Sequence, residues 1–318
     1  MKAQAAMSWF GVEIAGPLVA ARATHFAASA IVAGVMIFRS AVLAPSLRST
    51  PRATIDRQLR IGVWLGLAAA IVSGLVWLVL EAASMSGLSV DEATTPETLS
   101  TVLTATQFGS VMQLRSICVV VLAASLVQER TALLRWLGLA AALGLVGAIA
   151  WTGHAGSTAG NAGILHLAAD VLHLWAASAW SGGLLALVLL LAAPRQLSGE
   201  ATLQTMVVRR FSTLGIIAVG ILIVSGVIQT WLLVGSIQAM AVTAYGRLLT
   251  VKIVVFTAML LLAAINRIWL TPHLATAAAE RATAMLRRTA AAELMLALVV
   301  FVLVGALGTL HPAAHFMI

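Results

Sequence analysis

The sequence predicts an all-α polytopic membrane protein, a bundle of eight transmembrane helices with both termini on the outer side. Three observations carry this prediction. Only 9% of the 318 residues are charged and 61% are apolar, a balance foreign to soluble domains of this length. The apolar residues gather into eight runs of about 20, the length that crosses a hydrocarbon core. The connecting loops alternate sharply in charge, as the positive-inside rule requires of a threaded chain.

The runs fall at residues 24–43, 61–80, 108–127, 133–151, 164–192, 211–234, 246–269 and 290–310. Residues 1–23 read as a short interfacial segment with Trp9 and Phe10 as headgroup anchors, 24–310 as one eight-helix membrane domain, and 311–318 as an outer tail. The fifth run is long, so it must tilt or project beyond the bilayer. Arginines crowd the loops after spans one, three, five and seven, among them Arg57, Arg60, Arg135, Arg209 and Arg288. The loop after span two carries Glu81, Asp91, Glu92 and Glu97 instead. The arginine side is therefore cytoplasmic, and the termini face outward.

The net charge of +8 sets this topology and does not announce nucleic acid, because no soluble domain is present to grip a duplex. The single cysteine, Cys118, excludes an intrachain disulfide and lies in an apolar run as a small packing residue. No nucleotide-binding loop, Gly-x-Ser-x-Gly or CxxC motif occurs, so an enzyme is not expected.

Ionisable groups inside a bilayer are costly and cluster where they are paired or used. The stretch 151–183, WTGHAGSTAGNAGILHLAADVLHLWAASAWSGG, holds His154, His166, Asp170 and His173. His166 and His173 are two turns apart, and Asp170 stands between them at i+4 and i−3, so all three share a helix face. His25 opens span one, and His311 and His315 follow span eight. Six of the seven histidines thus belong to the outer half, and only His273 is cytoplasmic. An outward-facing site lined by His25, His154, His166, His173, His311 and His315 with Asp170 is expected. At 1.5 Å per residue, Arg115, Asp170 and Lys252 all lie about 10 Å below the outer surface. Asp170 is therefore expected to pair with Arg115 or Lys252. Tyr245 and Arg247 begin span seven at the outer interface, Arg247 to hold an anionic group or anchor the helix. Glu293, near the inner end of span eight, is expected to pair with Arg267 or Arg288 or to serve as an exit ligand. Ser181, Gly182 and Gly183 read as small residues at a close helix crossing.

Several of these segments, in order along the chain, resemble the CopD family of bacterial inner-membrane copper resistance proteins. They are RATHF (22–26), TQFGSVMQLR (106–115), GHA (153–155) with HLAADVLHLWAASAWSGGL (166–184), RRFSTLGIIAVGILIVSGVIQTWLLVGS (209–236), TAYGRLLTVKIVVFTAMLLLAAINR (243–267) and RRTAAAEL (287–294). Tyr245 to Lys252 look like the family's Tyr-Gly-Arg-Leu-Leu-x-x-Lys signature. The resemblance implies an eight-helix inner-membrane protein that moves copper, inward from the periplasm. It also implies a separate periplasmic copper-binding partner of the CopC type. Imidazole suits copper and carboxylate suits Cu(II), whereas Cu(I) prefers sulfur, so the donor set favours capture by nitrogen without fixing the oxidation state. Two other classes stay open: a membrane redox protein holding haem between histidines, and a non-transporting copper sensor or scaffold.

Overall fold

The computed structural model describes residues 16–43, 50–129, 131–158, 160–192 and 200–312. The described chain is helical throughout: α1 (Gly16–Ile37, continued by a π turn at Phe38–Val42), α2 (Thr50–Ser86), α3 (Val90–Ala93), α4 (Pro96–Ala105), α5 (Gln107–Val127), α6 (Ala132–Gly147, continued by a 3-10 turn at Ala148–Thr152), α7 (Gly160–Ala192), α8 (Glu200–Leu233), α9 (Ile237–Val242), α10 (Ala244–Ile265, continued by a π turn at Asn266–Leu270), α11 (Thr271–His273) and α12 (Ala279–Leu307). Eight of these elements, α1, α2, α5, α6, α7, α8, α10 and α12, are long and apolar enough to span a membrane. They overlap the eight runs read from the sequence one for one, with several starting earlier, the last at Ala279 where the run begins at 290. The first helix starts earlier than the apolar run, at Gly16, so residues 16–23 continue its axis.

Polar residues fix where the spans begin. Thr106, Thr131 and Thr243 accept hydrogen bonds from Gly109, Leu134 and Gly246 N–H at the starts of α5, α6 and α10. In the acidic loop Ser89 and Glu92 form a reciprocal capping box around α3. The two bonds from Ser89 hold the exposed Glu92 carboxyl below its ordinary range.

The centre of the bundle is α1 packed on α7. Two thirds of the apolar window of each is buried (67%), against 11% for α10 at the lipid-facing edge. Helix α7 also touches α6, α8 and α12, and α12 touches α1 and α10. The close approach of α1 and α7 runs through glycine: a Cβ on Gly182 would meet Gly34 Cα at 2.7 Å. The expected small-residue crossing is therefore present, and its partner is Gly34.

At the arginine-rich end Arg39 ties three segments. Its guanidinium donates to Asp56 of α2 at 2.9 and 3.1 Å and to Glu129, just past α5, at 2.8 and 2.7 Å. At the opposite end Arg22 lies over the Phe26 and Trp77 rings, 3.7 Å from Glu81. Trp77 in turn donates its indole N–H to Glu81 at 2.8 Å.

Candidate cation site between the fifth, sixth and seventh spans

The histidines expected at one outer site are divided among separate places. Among the described residues no group of three or more His, Cys, Asp or Glu stands close enough to hold a metal ion. His315 lies outside the described residues, and His311 is exposed beyond the end of α12.

His25 belongs to a buried cluster between α1, α2 and α5. Its Nδ1–H donates to the Ala70 carbonyl at 2.9 Å, and its Nε2 accepts from Arg115 Nη2. Both ring nitrogens are engaged, so His25 has no lone pair left for a metal. Arg115 also donates to Ser29 Oγ at 3.0 Å, while its Nε and Nη1 meet no acceptor among the described residues. The expected Asp170–Arg115 pair is therefore not formed: equal depth does not bring the two to the same side of the bundle.

His154 and His166 are joined through a loop. Thr158 Oγ1 donates to the His154 carbonyl at 3.1 Å and accepts His166 Nδ1–H at 2.9 Å. His166 is almost fully buried, at 2% exposure, and this contact pins the start of α7 to the turn before it. The His154 ring stands edge-on to Tyr245 at 6.1 Å, above the start of α10.

One turn beyond His166, Asp170 faces α8 and α10. Gln229 Nε2 donates to Asp170 Oδ1 at 3.1 Å. Lys252 acts on Asp170 electrostatically, as Asp170 acts on Tyr245. No direct ion pair within 4 Å joins Asp170 and Lys252, so the second of the expected partners is a neighbour at longer range. His173, almost a turn further, donates Nδ1–H to Ser225 Oγ at 2.9 Å. Ser225 has already directed its own proton to the Ile221 carbonyl at 2.6 Å. The histidine is thereby fixed as the Nδ1–H tautomer, and Nε2 keeps its lone pair.

His173, Gln229, Tyr245 and Lys252 line a cavity of about 530 Å³ among α7, α8, α10 and α12. Its other walls are mostly apolar, with Ser181, Thr230 and Ser236 as further polar lining and Phe256 and Met259 at the deep end. An imidazole nitrogen thus lines an intramembrane cavity, and the Asp170 carboxylate stands behind its wall, bonded to the lining residue Gln229; imidazole and carboxylate are both cation-accepting groups. Lys252 beside them opposes tight retention.

A second buried carboxylate lies deeper. Glu293 of α12, 2% exposed, accepts from the Trp180 indole N–H at 3.2 Å and from Asn266 Nδ2 at 2.5 Å. Thr289 orients that amide by donating to Asn266 Oδ1. The expected partners are elsewhere: Arg267 donates to Ser212 Oγ at 2.6 Å, and no ion pair joins Glu293 to Arg267 or Arg288. Arg247 is exposed at the head of α10, turned away from buried Tyr245. Sequence reasoning passed over Gln229, Ser225, Asn266 and Trp180. The signal was available for the amides, since Gln229 and Asn266 are polar side chains inside apolar runs.

This fold and site define a polytopic helical membrane protein whose polar side chains open onto intramembrane cavities. The family described as Copper resistance protein D-like, N-terminal domain matches residues 13–164, and that described as Copper resistance protein D matches residues 205–307. Copper resistance protein D of Pseudomonas syringae pv. tomato is 31% identical over 257 residues, 78% of this chain and 81% of that protein. Copper transport protein CutJ of Bacillus subtilis (strain 168) is 42% identical over 124 residues, 39% of this chain and 22% of that protein. No solved structure matches the chain. The chain belongs to the copper resistance protein D family.

Proposed function

We propose that this protein carries copper inward across the bacterial inner membrane, with both termini in the periplasm. The observation that carries the reading is His173. Its Nε2 lone pair is free, it lines an intramembrane cavity, and Asp170 stands almost one turn away on the same face. The ion approaches past His154 and Tyr245, and is taken by His173 Nε2 with Asp170 as counter-charge. Lys252, at electrostatic range of both, keeps the hold weak. A conducting site must bind well enough to admit an ion and loosely enough to release it. His25, with both nitrogens engaged, takes no part in this pathway, and His166 anchors the loop. A separate periplasmic copper-binding protein of the CopC type is the delivering partner in this reading, and the protein performs no catalysis.

The test is copper uptake by cells, with copper binding by the purified protein alongside, for wild type, His173→Ala, Asp170→Asn and His25→Ala. The expected result is loss of binding and uptake in the first two, with copper binding retained by His25→Ala. Normal uptake by a stably folded His173→Ala protein would overturn the assignment. Copper bound by the wild type without any flux would favour a sensor or scaffold.

A further inference from the structure

Beneath the His173 cavity lies a second, of about 240 Å³, whose polar lining includes Glu293, Asn266, Arg267 and Ser212. The two cavities follow one another along the same four helices. On α8 the outer one is lined by residues from 222 onward and the inner one by residues up to 219. On α10 the outer lining ends at Met259 and the inner begins at Leu260. On α12 the outer includes Ala297 and the inner Glu293. Trp180 of α7 lines both, and its ring is stacked edge-on against Phe256 at 5.8 Å. A single indole therefore stands where the outer cavity ends and the inner one begins.

The geometry points to one transfer path through α7, α8, α10 and α12, in which Trp180 is the gate and Glu293 the inner station for the cation. The inference rests on the transport reading above for the identity of the cargo, but the path itself is a matter of geometry. Glu293 is suited to the role because no cation among the described residues is within ion-pair range of it. Both carboxylate oxygens instead accept from neutral donors, Oε2 from Trp180 and Oε1 from Asn266. A carboxylate buried without a counter-ion favours whatever cation can reach it.

The Trp180–Glu293 hydrogen bond links gate and station. Turning the indole aside to join the cavities removes one of the two donors from the carboxylate. A cation arriving at Glu293 replaces that donor and so stabilises the open position of the ring. With the station empty, the N–H returns and the ring closes. The ligand thus shifts the gate through its different affinity for the two positions, as linkage requires. The inner cavity continues to Arg267 and Ser212, toward the arginine-rich end, where the ion leaves.

Two glycines of α8 allow the path to be probed without copper. A Cβ on Gly226, in the outer lining, finds only a His173 ring carbon, at 3.8 Å, and one on Gly215, in the inner lining, finds nothing within 4 Å. Cysteines are placed at each, singly, in a Cys118→Ala background. A charged, membrane-impermeant thiol reagent is then applied from either face of proteoliposomes. The expected result is that Gly226→Cys reacts from the face nearer Tyr245 and Gly215→Cys from the other. Adding Trp180→Ala should raise the rate at Gly215→Cys from the Tyr245 face about tenfold or more, as a gate moved from mostly closed to mostly open would do. No increase overturns the gate.

Glu293→Gln is scored separately by copper uptake and by copper bound at the His173 site. Uptake falling about tenfold or more, with outer binding retained, supports the inner station. Uptake equal to wild type, while His173→Ala abolishes it, overturns the station and leaves the transport reading intact. Open access in Trp180→Ala with no copper flux in any variant sinks the cargo and keeps the path. Trp180→Phe, which keeps an aromatic ring of smaller size and removes the N–H donor, guards against a folding failure of the alanine variant. It should react at Gly215→Cys faster than wild type, and an unchanged rate counts against the latch.

Discussion

The crossing of α1 and α7 offers a sharp test of the packing that positions the site. A Cβ on Gly34 would fall on the Ser178 carbonyl and lie 2.8 Å from Gly182 Cα, whereas ordinary contact begins at 3.4 Å. All these atoms are backbone, so no rotamer change can relieve the clash. Gly34→Ala must therefore part the two central helices by about 1.5 Å, since close-packed interiors have no slack to absorb it. Overpacking of this kind costs about 3 kcal/mol. Gly215→Ala and Gly220→Ala supply the control, because a Cβ at either position meets nothing within 4 Å. These should be neutral or stabilising by up to about 1 kcal/mol, the ordinary helix preference for alanine. The difference, about 3–4 kcal/mol, should appear in denaturant-induced unfolding of the purified protein in detergent micelles. Gly34→Ala should also lower copper uptake, because moving α7 displaces His173 from Ser225 and Asp170 from Gln229. A Gly34→Ala protein as stable as the Gly215→Ala protein would refute the reasoning.

Arg39→Gln should destabilise the protein by about 3 kcal/mol by leaving two carboxylates with no shared cation, and a double-mutant cycle with Glu129→Gln should show coupling of at least about 1 kcal/mol. His25→Ala should lower stability, since Arg115 loses an acceptor and already has N–H groups without one, while copper bound per protein stays the same. Gln229→Leu, which removes the donor to Asp170, should reduce copper uptake several-fold and change the melting temperature by no more than about 4 °C. Unchanged uptake in that variant would detach Asp170 from the pathway.

The spans were legible because length and hydropathy suffice to find a helix that must satisfy its own backbone in lipid. The grouping of the histidines was not. Register along a helix gives height in the membrane and says nothing of direction around the bundle. Arg115, Asp170 and Lys252 share a height, yet α5 packs on α6 while α7 faces α1 and α8. Arg115 of α5 reaches His25 and Ser29 of α1, whereas Asp170 turns to Gln229 of α8. From the sequence Glu293 reads as the partner of an arginine or as an exit ligand, because buried carboxylates usually take a cation, but Arg267 turns out to Ser212 and two neutral donors bond the carboxylate. Trp180 carried no signal of its own, since a tryptophan in an apolar run reads as packing until its N–H is seen to donate to Glu293.

The two halves of the bundle place their polar groups differently, and the proposed path lies in the half where several of them line cavities. In α1, α2 and α5 the charges contact neighbouring groups, Arg39 with Asp56 and Glu129, Arg22 with Glu81 and two aromatic rings, Arg115 with His25 and Ser29, although Arg22 and Arg115 keep buried N–H groups without an acceptor among the described residues. No cavity is needed there, and each contact joins one span to another. In α7, α8, α10 and α12 His173, Gln229, Lys252 and Glu293 instead line cavities. Asp170 and Glu293 each have neutral hydrogen-bond donors and, among the described residues, no direct ion pair, and His173 keeps a free nitrogen. Such groups are costly in a bilayer unless something passes by to use them. Helix α7 belongs to both regimes. Its Gly182 and Ser178 lock it to the rigid α1, while His173, Ala177 and Trp180 line the cavities. That fixed backing gives Trp180 a defined closed position, so the ring can move without the helix moving with it.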